Sequence, residues 1–194
     1  MKVLFAFFAL CIFIDFPALA EDATLIAPPE LVMCKSDATC DHDPTHLEKF
    51  VADFYKWYVT VINIDASIPA NRNRNYAQQR VELEKNEEAY LKKSLTPDFQ
   101  EWRRKIFSDP EGYVDVFDPR FCTSDTDPML CAQDSRNEWK HSASATLIAI
   151  GSHIAVFIVK LSPGFGNSDI PYLLTVRMRS TDGVWRIDGA LRSF

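Results

Sequence analysis

The sequence predicts an α+β fold in which N-terminal helices pack on one face of a curved antiparallel sheet. Three observations carry this expectation. Apolar residues recur at helical spacing up to about Ile106, β-branched runs joined by short glycine-containing turns take over beyond residue 140, and the chain that remains after an apolar leader is the size of one domain.

The leader comes first. Met1-Lys2 is a short positive start, Val3 to Ile14 is an apolar run, and Ala18-Leu19-Ala20 is a small-x-small cleavage site before Glu21. Residues 1–20 therefore read as a secretory signal peptide. Asp15 and Pro17 interrupt the run short of the ~20 residues a spanning helix needs. Leu10 stands where a lipid-attachment motif takes a small residue before Cys11. The expected product is exported to the periplasm or secreted, with no membrane attachment after cleavage. It comprises an irregular lead over 21–44 and a single α+β domain over 45–194.

The 194-residue chain carries a net charge of −6, and removing the leader leaves that charge unchanged. The acidity lies in two blocks, with −6 over 21–70 and −6 over 106–138, against +3 over 71–105 and +3 over 139–194. This balance disfavours nucleic acid and anionic lipid and allows an acidic patch to meet a basic protein partner.

Four cysteines follow the leader, and export implies an oxidising compartment. Of the three possible pairings, the local ones are expected, Cys34 with Cys40 and Cys122 with Cys131. Each brackets a polar, turn-rich segment, and each closure contributes roughly 2–3 kcal/mol. Cys34, Cys40, His42 and His46 also form a two-cysteine, two-histidine set, but the five-residue gap between the cysteines exceeds the usual zinc spacing. Asp125-Thr126-Asp127-Pro128 lacks the glycine and closing glutamate of a calcium loop and reads as a solvated loop. Neither metal nor cofactor is expected; Gly164-Phe165-Gly166 lacks the third glycine and following helix of a dinucleotide site.

The helices follow from caps and periodicity. Asp43-Pro44 precedes Thr45 and Glu48, spaced as a capping box, and Leu47, Phe50, Val51, Phe54, Tyr58, Val61 and Ile62 then trace one apolar stripe flanked by Tyr55 and Trp57. These aromatics read as core rather than as a cofactor-stacking platform. Residues 71–75 read as a loop, and Gln78 to Leu95 as a charged surface helix. A third helix starts with Thr96 as cap and Pro97 in the first turn, turns Phe99, Trp102 and Ile106 inward, and ends on Arg103-Arg104-Lys105, cations that suit a helix C-terminus.

The strands come last. Ala145–Ile150 and Ile154–Val159 are expected to form a hairpin around Gly151-Ser152 in a type II′ turn. Both faces of this hairpin are apolar, so the N-terminal lead or a second subunit is expected to cover the outer one, and a homodimer through the sheet is allowed. Asp182-Gly183 joins Tyr172–Ser180 to Val184–Asp188, pairing Arg177 with Asp188, Met178 with Ile187 and Arg179 with Arg186. Leu174, Val176, Met178, Trp185 and Ile187 then share the core face. The charged residues share the opposite face, where Arg179 facing Arg186 invites either a bridging Asp188 or an anionic partner, unless that face is simply solvated.

Three segments, Phe54-Tyr55-Lys56-Trp57-Tyr58, Asp127-Pro128-Met129-Leu130-Cys131-Ala132-Gln133-Asp134 and Gly183-Val184-Trp185-Arg186-Ile187-Asp188, resemble a bacterial envelope family, domain of unknown function 3828, over roughly 45–192. That family is similar to the nuclear-transport-factor-two-like superfamily, and the resemblance implies a cystatin-like cone, a sheet curled around helices. Gln133-Asp134 is its most specific pair and joins Arg177, Arg179 and Arg186 as the binding candidates. The resemblance implies architecture and compartment, not chemistry.

Two functional readings follow. The first is a non-catalytic periplasmic domain that binds a protein or small ligand, a toxin-immunity role among those that fit. The second is a small-molecule isomerase, dehydratase or hydrolase using a carboxylate inside the cone, with Asp134, Tyr58, Tyr113 and His141 as acid/base candidates. A closed pocket beside Asp134 favours the second; an interior filled by Phe54 and Trp57 counts against it.

Overall fold

The computed structural model describes residues 27–33, 43–67, 74–108, 126–132, 135–164 and 170–193. Its elements run α1 (Pro44–Ser67), α2 (Arg74–Ser94), α3 (Pro97–Ser108), α4 (Trp139–Ser142), β1 (Ser144–Ile150), β2 (Ile154–Leu161), β3 (Tyr172–Thr181) and β4 (Val184–Ser193). The strands form one antiparallel sheet in the order β1-β2-β3-β4, with helices packed on one side. This is the α+β architecture expected. The expected signal segment and the cysteines Cys34, Cys40 and Cys122 lie outside the described residues.

Helix α1 supplies the centre of the core. Leu47, Phe50, Val51, Phe54, Tyr58 and Val61 are buried along the expected stripe, and Tyr55 and Trp57 are buried with them. Phe54 stacks on Tyr58 with ring centroids 6.1 Å apart, and Trp57 meets Tyr90 of α2 edge-on at 4.5 Å. Truncating one such aromatic costs about 3–5 kcal/mol, so this cluster dominates the helix–sheet layer. The start of α1 differs from the expectation. Asp43 Oδ1, not Thr45, caps it by accepting from the Thr45 amide at 3.0 Å. Glu48, the presumed capping-box partner, accepts instead from the Leu147 amide of β1 at 2.7 Å. A part-buried strand amide is a better use of that carboxylate than a solvated helix end.

The expected loop at 71–75 gives way to α2 at Arg74, and 71–73 lie outside the described residues. At the corner between α2 and α3, Thr96 acts as predicted, its Oγ1 accepting from the Phe99 amide at 3.4 Å, and Phe99, Trp102 and Ile106 are buried. The dipole reading of the basic cluster holds only for Lys105 in the last turn. Arg103 reaches back to α2, 2.8 Å from Glu88 and 3.4 Å from Glu87. Burial lowers its pKa, but those carboxylates and Tyr58 outweigh burial and hold it above its ordinary value.

Along β3 the burial alternates residue by residue. Leu174, Val176 and Met178 face the helices with Phe157 and Val159 of β2 and Trp185, Ile187 and Ala190 of β4, all fully buried. The β3–β4 turn falls at Asp182-Gly183, with φ of 53° and 71°, as a type I′ turn requires. In the first hairpin the Gly151 amide donates to the Ile154 carbonyl at 2.7 Å. Ser152-His153 therefore occupies the turn centre expected for Gly151-Ser152. The described part of the lead, residues 27–33, lines the β4 edge, where Met33 bridges Val184 and the Trp185 amide donates to the Val32 carbonyl.

Candidate functional site

Two polar clusters and one groove are candidates. The first cluster surrounds Tyr58. Its hydroxyl donates to Asp127 Oδ2 at 2.8 Å, while Asp127 Oδ1 accepts from the Met129 and Leu130 amides at 2.8 Å each. The turn closes through the Cys131 amide to the Asp127 carbonyl and the Asp127 amide to the Ala132 carbonyl. Tyr55 and Tyr172 clamp it further, donating to the Met129 carbonyl at 3.1 Å and the Cys131 carbonyl at 2.6 Å. Pro128, Met129 and Leu130 are buried. The solvated-loop reading of Asp125–Pro128 is thus corrected at Asp127, because an aspartate that caps its own turn can be taken out of water.

Burial raises the Asp127 pKa above its ordinary 3.8 and outweighs the hydrogen bonds from Tyr58, Leu130 and Met129 and the more distant Arg103. Burial likewise pushes Tyr58 well above its usual range, with Asp127 adding to the rise. A tyrosine held protonated and spent on a carboxylate that is itself spent on two amides is an anchor rather than an acid poised for substrate. Phe54 and Trp57 fill the space beside it. His141 is exposed on α4 and does not share this interior. Asp134, Tyr113 and Gln133 lie outside the described residues, and among the described residues no metal-ligating side chains cluster.

The second cluster lies on the outer face of the sheet. Arg177 pairs with Gly189, Met178 with Ile187 and Arg179 with Arg186. Asp188 is therefore an extra residue in a bulge, not the cross-strand partner of Arg177 as expected. Gly189, without a side chain, stands opposite Arg177. Asp188 is 0% exposed, and its Oδ2 contacts Nη2 of both Arg177 and Arg179, the latter at 3.2 Å. Its Oδ1 accepts from Thr96 Oγ1 at 2.9 Å. Arg186 turns away, donating from Nε to the Lys93 carbonyl and from Nη1 to the Thr181 carbonyl and hydroxyl. Asp188 thus bridges Arg177 and Arg179 rather than the facing pair Arg179 and Arg186, and those two like charges separate because Arg186 takes its acceptors from Lys93 and Thr181.

Register places the rest of this face. Ile154 pairs with Arg179, Val156 with Arg177, Ile158 with Thr175, and Lys160 with Leu173. Leu191 lies opposite Thr175 and Ser193 opposite Leu173. An apolar row along β2 thus runs beside the arginines. The third candidate is a groove of about 680 Å³ between α2 and α3, bordered by Leu91, Lys92, Leu95, Pro97, Gln100 and Arg104. It is wide open, and Gln100 crosses it to the Lys92 and Leu95 carbonyls.

The fold and these sites define a class, an α+β domain with helices on one sheet face and a mixed apolar and cationic surface on the other. No family model matches the chain, and no curated protein does. Among solved structures it is similar to a chain in the crystal structure of the type VI native effector-immunity complex Tae3-Tai3 from Ralstonia pickettii. The identity is 16%, over 54% of this chain and 73% of that one, with a TM-score of 0.39. A likeness of that degree carries no functional argument.

The register shift at Asp188 and the role of Asp127 are what sequence reasoning missed. Gly189 after Asp188 was the available clue to the bulge, since a residue without a side chain leaves room for its neighbour's. For Asp127 the clue was the following Pro128, a pair that favours turn initiation.

Proposed function

We propose that this protein is an exported, non-catalytic binding domain that docks a protein partner on the outer face of its sheet. One observation supports the reading above others. The face opposite the helix layer combines Ile154, Val156 and Ile158 with the Arg177–Arg179 pair, and among the described residues no helix packs over it. Apolar rows beside arginines are what protein interfaces use, the former for burial and the latter for orientation. Export to the periplasm follows from the leader, and toxin immunity is one role that a small exported binding domain serves. No described helix is long and apolar enough to cross a membrane.

The test uses the mature protein as bait for crosslinking in envelope extracts, alongside Val156→Glu on the outer face and Lys92→Glu in the α2–α3 groove. A partner retained by Lys92→Glu and lost by a folded Val156→Glu supports the reading. No partner, or one lost only with Lys92→Glu, overturns it. The disulfides belong to the same proposal. A nonreducing peptide map should give Cys34–Cys40 and Cys122–Cys131, and free thiols or a Cys34–Cys122 link would refute the pairing.

A further inference from the structure

We infer that the partner presents an acidic segment flanked by apolar side chains, with its carboxylates over Arg177 and Arg179 and its apolar groups along Ile154, Val156 and Ile158. This rests on the outer face being the docking surface.

The charge of that face is the first argument. Among the described residues, Lys160, Arg177, Arg179 and Arg186 stand on it against Asp188 alone, in a chain whose net charge is −6. The local field is therefore opposite in sign to that of the molecule. A basic partner, which the net charge by itself favours, is attracted elsewhere and repelled here.

The second argument is incomplete neutralisation. One carboxylate serves two guanidiniums through a single oxygen, Oδ2, because Oδ1 is held by Thr96. Arg177 Nε and Arg179 Nε are buried and make no hydrogen bond among the described residues. The two side chains nevertheless remain 28% and 35% exposed, so uncompensated positive charge reaches the surface. The guanidinium fork fits a carboxylate better than any other protein group.

The third argument separates a peptide from other anions. Ile154 and Val156 stand directly opposite Arg179 and Arg177 in the β2–β3 register, so each charge has an apolar neighbour on the same face. A polyphosphate backbone gains nothing from those isoleucine and valine side chains and is repelled by the acidic remainder of the chain. A peptide carrying both carboxylates and apolar groups satisfies both rows.

The experiment is a selection of random phage-displayed peptides on the mature protein. Recovered sequences should be enriched in Asp and Glu next to Leu, Ile, Val or Phe. A synthetic peptide from that pool should bind about tenfold more weakly to Arg179→Gln and more weakly at high salt. Lys160→Glu, which leaves the Asp188 pairs in place, should weaken it several-fold and keeps the test valid if Arg179→Gln does not fold. Basic sequences, no acidic enrichment, no recovered peptides, or indifference to both variants would overturn the inference. If Val156→Glu abolishes partner capture while Arg179→Gln and Lys160→Glu preserve it, the docking surface stands and the acidic partner falls.

Discussion

Asp127, half-buried, and Asp188, fully buried, both tie distant parts of the chain together, but they are held in opposite ways. Asp127 sits among neutral donors, the Tyr58 hydroxyl and two turn amides. Asp188 sits between two guanidiniums, with the Thr96 hydroxyl on its other oxygen. Neutral donors satisfy lone pairs without cancelling charge, so desolvation wins at Asp127 and its pKa rises. Around Asp188 two guanidiniums share one carboxylate, leaving cationic charge in excess at the sheet surface. The first arrangement locks a turn onto α1. The second locks α3 onto β4 and also leaves something for a partner to read.

Substitutions can break this contrast, beginning with the largest effect. Asp188→Ala should destabilise by about 3–5 kcal/mol in urea unfolding, because it strands two half-buried arginines and removes the acceptor of Thr96. A loss below about 1 kcal/mol would mean the arginines resolvate freely and the carboxylate is not their anchor. Asp127→Ala should cost about 2–4 kcal/mol, since three donors lose their acceptor. Thr96→Ala, removing both a helix cap and a hydrogen bond to Asp188, should cost about 1–2 kcal/mol. Tyr58→Phe should cost about 1 kcal/mol, with Asp127 keeping its amides.

Acidity sharpens the contrast further. The folded pKa of Asp127 lies above the ordinary 3.8, so the folded state binds this proton more tightly than the unfolded state. Its contribution to stability is complete below 3.8 and is lost as pH rises through the folded value. Asp127→Asn should therefore gain in melting temperature relative to wild type as pH is raised from below 3.8 to neutral. A relative gain that shrinks over that range would show that hydrogen bonding, not desolvation, governs this carboxylate.

Much of the fold was legible because its signals are local. The α1 stripe, the Thr96 cap and the Asp182-Gly183 turn each depend on a few adjacent residues and on φ preferences. Of the candidate site, the three arginines were legible as one face of a period-two strand. Their geometry was not, since the bulge at Asp188 moves Arg177 opposite Gly189 and no local propensity announces it. The misread turn at Gly151 has the same origin. Ile148 is itself an extra residue in β1, so the hairpin closes around Ser152-His153.

By itself the sequence determined the order of the three long helices and the four strands and which residues line the core, because periodicity and caps act within a turn or a strand. Only the tertiary structure decided which polar groups are buried. Tyr58 reaches Asp127 across 69 positions, Thr96 reaches Asp188 across 92, and Glu48 reaches Leu147 across 99. A carboxylate's environment is set by whatever the fold brings within a few ångströms of it, and at those separations adjacency in sequence carries no information about the neighbour.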